Sequence, residues 1–167
     1  VAKNMDSNEE CFRKICRDID QFQKVIVMWT FPSRVSFYPT IHLNPHTSYH
    51  NPVHSEFRDS FYTLTSDSHY VHNTWLNVLA LQSICEARGV DYWFTTSTSE
   101  LFRINDNSYT RDITQLPINW SRFFAIDHTL GLIEFARREG YPVSTTGHPL
   151  AAAHKEFGKR FKEFIDE

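Results

Sequence analysis

Lys24-Val25-Ile26-Val27-Met28-Trp29 is the stretch that decides the fold class. Past its lysine the run contains no polar residue, and Val25, Ile26 and Val27 are β-branched in succession. A strand of that composition buries both faces, which is the pattern of a parallel sheet. The segment before it reads as a helix. Ser7 is a fitting N-cap with Glu10 three positions on. Phe12, Ile15, Cys16, Ile19 and Phe22 follow at helical spacing. The segment after it, residues 30–56, is irregular. Pro32, Pro39, Pro45 and Pro52 interrupt it, and a loop that long usually serves a function or moves.

Further along, residues 68–88 read as a long helix. Val71, Trp75, Val78, Leu79, Gln82 and Cys85 share one face, broadened by Leu76, Leu81 and Ile84. Gly89 ends it in the C′ position. Residues 90–95 form the next strand, and Ser97 with Glu100 repeats the capping-box pattern. Residues 112–139 read as helical pieces broken near Pro117 and ending before Gly140. The last helix spans 149–165 with Leu150, Ala153, Phe157, Phe161 and Phe164 as its apolar stripe. Helix, strand, helix, strand, helices is the order of an α/β fold with parallel strands. Two strands make a poor core. A first strand is therefore expected upstream of Val1 or from another chain, with residues 1–4 as its remnant.

Composition narrows the classes. The chain has 167 residues, 41% hydrophobic and 15% aromatic, which suits one packed domain. Its formal net charge of −3 gives no basic field for nucleic acid. No apolar run reaches membrane-spanning length and no signal peptide is visible, so a cytoplasmic setting is expected. Cys11, Cys16 and Cys85 are odd in number and lack CxxC spacing, which favours reduced, buried thiols over a catalytic cysteine. His42, His46, His50 and His54 recur every four residues, but Pro45 and Pro52 break the helix that would align them, so no metal site is expected. Asp127-His128 reads as two polar residues at a helix edge rather than an acid–base pair.

Gly147-His148-Pro149 has a local mechanism. Gly147 permits a tight turn. Pro149 suits the first helical position. His148 then projects at the helix entrance as a candidate general base. The alternative is a histidine serving only as an imperfect N-cap. At the carboxyl end of the first strand, Thr30 can donate to an oxyanion and Arg34 can clamp a carboxylate or phosphate. The alternative there is Trp29 as core and Arg34 paired with a surface acid.

Three motifs in order carry a family resemblance. Gly147-His148-Pro149 with His154 six residues on, Trp29-Thr30 followed by Arg34, and Asn4-Met5-Asp6-Ser7-Asn8 together resemble blocks of the SGNH (GDSL-type) hydrolases. The likeness is closest to divergent members from tailed phages and marine viruses. It implies a three-layer flavodoxin-like parallel sheet flanked by helices, over a single domain 1–167 incomplete at the N-terminus. It implies an ester or acetyl hydrolase acting on a small-molecule or carbohydrate ester, without a cofactor and without nucleic-acid or membrane partners. His148 would be the base of a Ser-His-Asp triad, and Ser7, Asn8, Trp29, Thr30 and Arg34 would surround the oxyanion and ligand. The chain departs from the pattern at three points. The nucleophile block has no counterpart and by chain order falls before Val1. Met5 stands where the second block has glycine. Thr145 or Thr146 stands where the acid is usual. Asp59-Ser60-Phe61 lacks the glycine and strand that a nucleophile turn needs. A base without nucleophile or acid has nothing to activate, so the alternative function is a non-catalytic binding or virion-associated domain of the same fold.

Overall fold

A computed structural model describes residues 7–37, 41–43, 59, 62–63, 67–102 and 116–167. The elements are α1 (Asn8–Asp18), β1 (Lys24–Trp29), β2 (Val35–Phe37), β3 (Ile41–Leu43), α2 (Asp67–Arg88), β4 (Asp91–Thr96), β5 (Phe123–Phe124), α3 (Leu132–Arg138) and α4 (Ala151–Asp166). Short 3-10 turns occupy Ile19–Gln21, Ser99–Phe102 and Trp120–Arg122. The chain is an α/β protein with a three-stranded parallel sheet in the order β1, β4, β5. No helix among the described residues is long and apolar enough to cross a membrane.

Strand register explains the two cores. Val25 sits beside Tyr92, Val27 beside Phe94, Trp29 beside Thr96 and Phe94 beside Phe123. These residues share one sheet face, and the apolar ones pack with Ile15 of α1, Ile19 of the 3-10 turn after it, and Val71, Trp75, Val78, Leu81 and Cys85 of α2. The alternate residue Phe124 points to the opposite face, where Phe157, Phe161 and Phe164 of α4 meet its ring at 5.3–5.4 Å between centroids. Phe135 of α3 joins them. Each face of the sheet thus carries helices.

The structure corrects several expectations. β1 is not covered on both sides. Its even residues lie on the face toward α4, and Ile26 and Met28 are 54% and 43% exposed there. On that face burial reaches β4, where Trp93 and Thr95 are 7% and 1% exposed, but not the adjacent β1, so apolar composition reported a parallel neighbour on one edge and not burial on both faces. A third strand was not foreseen because β5 has only two residues and neither periodicity nor length marks it. Two short segments of the irregular stretch form a ladder after all: β2 and β3 pair antiparallel, with Val35 beside Leu43 and Phe37 beside Ile41.

Other differences are local. In α2, Leu76 is exposed because it points away from the face shared by Trp75 and Leu81. Gly89 closes that helix as expected: at φ +65° it lets Val90 N–H reach Cys85 O and its own N–H reach Glu86 O. The second cap shifts by one residue. Thr98 Oγ1, not Ser97, accepts from Glu100 N–H at 3.3 Å. The last helix begins at Ala151, so Pro149 is not its first residue. Pro149 instead bridges Val143 in a short antiparallel contact. Leu150 is exposed and lies outside the apolar stripe. Asp127 and His128 are not at a helix edge; both adopt positive φ in a tight turn closed by the Ile126–Leu130 bridge.

Candidate functional site

The site is built where α1, β1 and α2 converge. Ser7 caps α1, its Oγ accepting from Glu10 N–H at 3.2 Å. That cap fixes the first helical residue, Asn8, which is 3% exposed. The Asn8 carboxamide meets the end of β1 as a neighbouring strand would. Its Oδ1 accepts from Thr30 N–H at 2.8 Å, and its Nδ2 donates to Thr30 O at 3.1 Å. The same Nδ2 donates to Thr74 Oγ1 on α2 at 3.2 Å, and that hydroxyl donates to Tyr70 O at 3.0 Å. One buried side chain therefore ties three elements together with its capacity satisfied, the arrangement in which a buried polar group stabilises rather than costs.

Arg34 is positioned from this lock. A turn closed by Arg34 N–H to Phe31 O, at 3.1 Å, folds it back over the strand end. Its Nη1 donates to Thr30 Oγ1 at 3.2 Å, and its guanidinium carbon lies 5.2 Å from the Phe31 ring centroid. Among the described residues it has no carboxylate partner, so the expected alternative of a surface ion pair is not what holds it. It faces a shallow surface recess, open to solvent and without an enclosed cavity, lined also by Pro32, Glu9, Tyr70, Asn73, Thr74 and Asn77. The Thr30 amide is committed to Asn8 and is not available to an oxyanion. The Thr30 hydroxyl, which accepts from Arg34, keeps its own proton to donate.

Trp29 belongs to the core. It is fully buried, edge-on to Phe94 at 5.8 Å. Its Nε1 has no hydrogen-bond partner among the described residues, and neither do the buried hydroxyls of Thr95 and Ser97. All three atoms lie at the carboxyl ends of β1 and β4. Unmet hydrogen-bonding capacity is thus concentrated at the end of the sheet where open α/β folds bind ligands.

The carboxyl end of β4 is held by a residue that sequence reasoning missed. Glu134, in the first turn of α3, accepts from Ser99 N–H at 2.8 Å and from the Thr98 hydroxyl at 3.3 Å. Gly131 abuts the same point, its missing Cβ falling 2.4 Å from Thr98 N. No local motif announces either residue. Nor does any local motif announce Asn73 and Asn77, polar residues one turn apart on α2.

His148 sits elsewhere. Gly147, at φ +81°, makes the expected tight turn, and His148 N–H donates to Ser144 Oγ at 3.0 Å while its carbonyl accepts from Ser144 N–H at 2.8 Å. The imidazole is exposed and makes no hydrogen bond among the described residues. Thr145 and Thr146 are exposed as well. The turn lies beside Arg137, near the far end of α3 from Glu134. Seven residues of helix rise about 10 Å. No hydrogen bond or ion pair among the described residues joins His148 to Asn8, Thr30 or Arg34.

The remaining candidates resolve simply. Cys11, Cys16 and Cys85 are free thiols; Cys85 is buried as expected, whereas Cys11 and Cys16 on α1 are only half-buried. Burial, with Glu10 beside it, pushes Cys11 up to about 11, and burial likewise raises Cys85 to about 11 and raises Cys16. None is a thiolate at neutral pH, which suits their packing role. Of the spaced histidines, His42 lies in β3, and His46, His50 and His54 fall outside the described residues. No cluster of three metal-ligating side chains occurs among the described residues. Asn4, Met5, Ser60 and Phe61 also fall outside them. Comparison of the chain with protein-family models, with curated proteins and with solved structures gave no match.

Proposed function

We propose that this chain is an SGNH-like, flavodoxin-type domain that binds a small molecule or a carbohydrate-derived ligand at the carboxyl end of β1, without hydrolysing it. The observation that carries this reading is the Asn8 lock, which presents an Arg34 guanidinium without a carboxylate partner beside a polar recess. A guanidinium held in a fixed orientation by Thr30 and Phe31 is preorganised for a ligand oxygen. It lies at the carboxyl end of a parallel strand, the side on which open α/β folds bind ligands. A virion-associated setting belongs to the same proposal and rests on the viral likeness of the motifs alone.

Ester or acetyl hydrolysis is the second reading. The exposed, unbonded imidazole of His148 in an ordered turn favours it. It requires a nucleophilic serine, whereas the Ser144 hydroxyl beside His148 is engaged with the His148 backbone N–H and Thr146 Oγ1, and it requires an acid to orient the ring. Two experiments separate the readings. In a fragment screen by amide NMR, carbohydrate and acyl fragments are expected to shift Thr30, Asn73 and Asn77; hits confined to other surfaces would refute the binding site. Treatment with a fluorophosphonate probe is expected to label no serine. A labelled serine, together with aryl-ester turnover abolished in His148→Ala, would establish the hydrolase instead.

A further inference from the structure

We propose that the group received by Arg34 is a carboxylate, held jointly by the guanidinium and the Thr30 hydroxyl, with the Asn73 and Asn77 carboxamides reading the neutral part of the same ligand. This rests on the recess being a ligand site, and it deepens that reading by naming the chemistry the recess selects.

Charge comes first. Arg34 is half-buried, lacks a carboxylate partner among the described residues and spends one donor on Thr30 Oγ1. A guanidinium carries five N–H donors in a planar fork, so most of its capacity is left for a ligand, and its preferred partner is an oxyanion taken two oxygens at a time. Thr30 adds a donor of its own. Because its oxygen accepts from Arg34, its proton is directed away from the guanidinium, and no acceptor for it exists among the described residues. The two groups together offer donors only, which selects an acceptor-only ligand group.

The lining then separates a carboxylate from a phosphate. Among the described residues that line the recess, Arg34 is the one cation. The phosphate-binding devices of α/β folds, a glycine-rich turn or clustered cations, are missing from this lining. A dianion would meet a single cation among the described lining residues. A carboxylate needs only the one fork. The walls beyond it are amides. Asn73 Nδ2 lies 2.9 Å from His69 Nε2, where it donates, and its Oδ1 makes no hydrogen bond among the described residues; Asn77 makes no side-chain hydrogen bond among the described residues. Both stand one turn apart on α2, so they face the recess together.

Isosteric probes test this directly. Amide NMR of the full chain is recorded with sodium acetate, with acetamide and with inorganic phosphate, at matched ionic strength and pH 7. Acetate is expected to shift the Thr30 and Arg34 amides and the Asn77 side-chain amide in a saturable way. Acetamide, the same shape without charge, is expected to bind at least about tenfold more weakly. Arg34→Gln, which keeps a hydrogen-bonding amide but removes the charge, is expected to weaken acetate by a similar factor while leaving the spectrum otherwise folded. Phosphate binding tighter than acetate, acetate shifts that survive Arg34→Gln, or no acetate shift at the recess would each overturn the carboxylate assignment. If neutral fragments still map to Thr30, Asn73 and Asn77, only that assignment fails. If fragments of neither charge map there, the ligand site fails with it.

Discussion

Asn8 and His148 both stand at the approach to a helix, and they are built in opposite ways. Asn8 opens α1 inside the molecule, and its carboxamide is spent on the backbone of Thr30 and the hydroxyl of Thr74. His148 precedes α4 at the surface; its backbone is held by Ser144 and its ring by nothing among the described residues. The difference teaches that a polar residue before a helix has no fixed role. Burial converts one into a clamp whose value lies in what it positions, chiefly Thr30 and Arg34. Exposure leaves the other with free chemistry and no constellation around it. Substitutions at each place should therefore fail in different currencies: stability at the clamp, chemistry alone at the turn.

The largest effect is expected at the buried joint that parallels the clamp on β4. A Cβ at Gly131 would lie 2.4–2.6 Å from three backbone atoms of Thr98, and backbone cannot move aside as a side chain tip can. Gly131 has an ordinary extended φ of −81°, so space and not conformation demands glycine there. Gly131→Ala is expected to cost about 3 kcal/mol or more, read as a lowered urea midpoint. A loss under about 0.5 kcal/mol, the scale of an ordinary surface change, would show that the β4–α3 joint is not rigid.

Asn8→Ala comes next. It strands a buried N–H and a buried C=O at Thr30 and leaves the Thr74 hydroxyl without its donor. Each orphaned buried group costs about 1–3 kcal/mol, partly relieved by water at this half-open edge, so a total near about 2–3 kcal/mol is expected. Asn8→Asp sharpens the test. It keeps the acceptor for Thr30 N–H but sets a carboxylate oxygen against Thr30 O and Thr74 Oγ1, so it should rescue little. Full rescue by aspartate would mean that the amide's donor side contributes nothing, and the strand-like pairing would be the wrong description.

How much of this was legible in the sequence follows from the range of each interaction. α1 and its Ser7 cap, α2 with its Gly89 close, and the Gly147 turn were readable because each is decided within a few residues by capping, periodicity or positive φ. The buried face of α2 was readable too, except Leu76, whose place depends on which flank the sheet occupies. β5 was not readable, because two aromatic residues become a strand only when β4 lies beside them. The half-open face of β1 was not readable either, since an apolar residue does not report whether a helix reaches it. The site divides in the same way. Thr30 and Arg34 were found from their place at a strand end. The Asn8 lock joins residues 22 and 66 positions apart, and Glu134 reaches β4 across 35. No local pattern encodes such pairings.

The smallest effects belong to the His148 turn, and they decide what that turn is for. Gly147 needs its positive φ of +81°, yet a Cβ there would meet only Arg137 Nη2 at an ordinary 3.6 Å. Gly147→Ala should therefore cost the left-handed penalty alone, about 1–2 kcal/mol. His148→Ala removes an exposed ring that touches no described hydrogen-bond partner and keeps the backbone N–H that Ser144 receives. Its expected stability change lies within about 0.5 kcal/mol. Measured together by urea denaturation, the pair separates turn from side chain. If His148→Ala instead costs more than Gly147→Ala, the ring is a packing element and the exposed turn is as structural as the Asn8 clamp. If it costs nothing, the turn displays its imidazole without depending on it, and a role for His148 has to be sought in a reaction or a partner rather than in the fold.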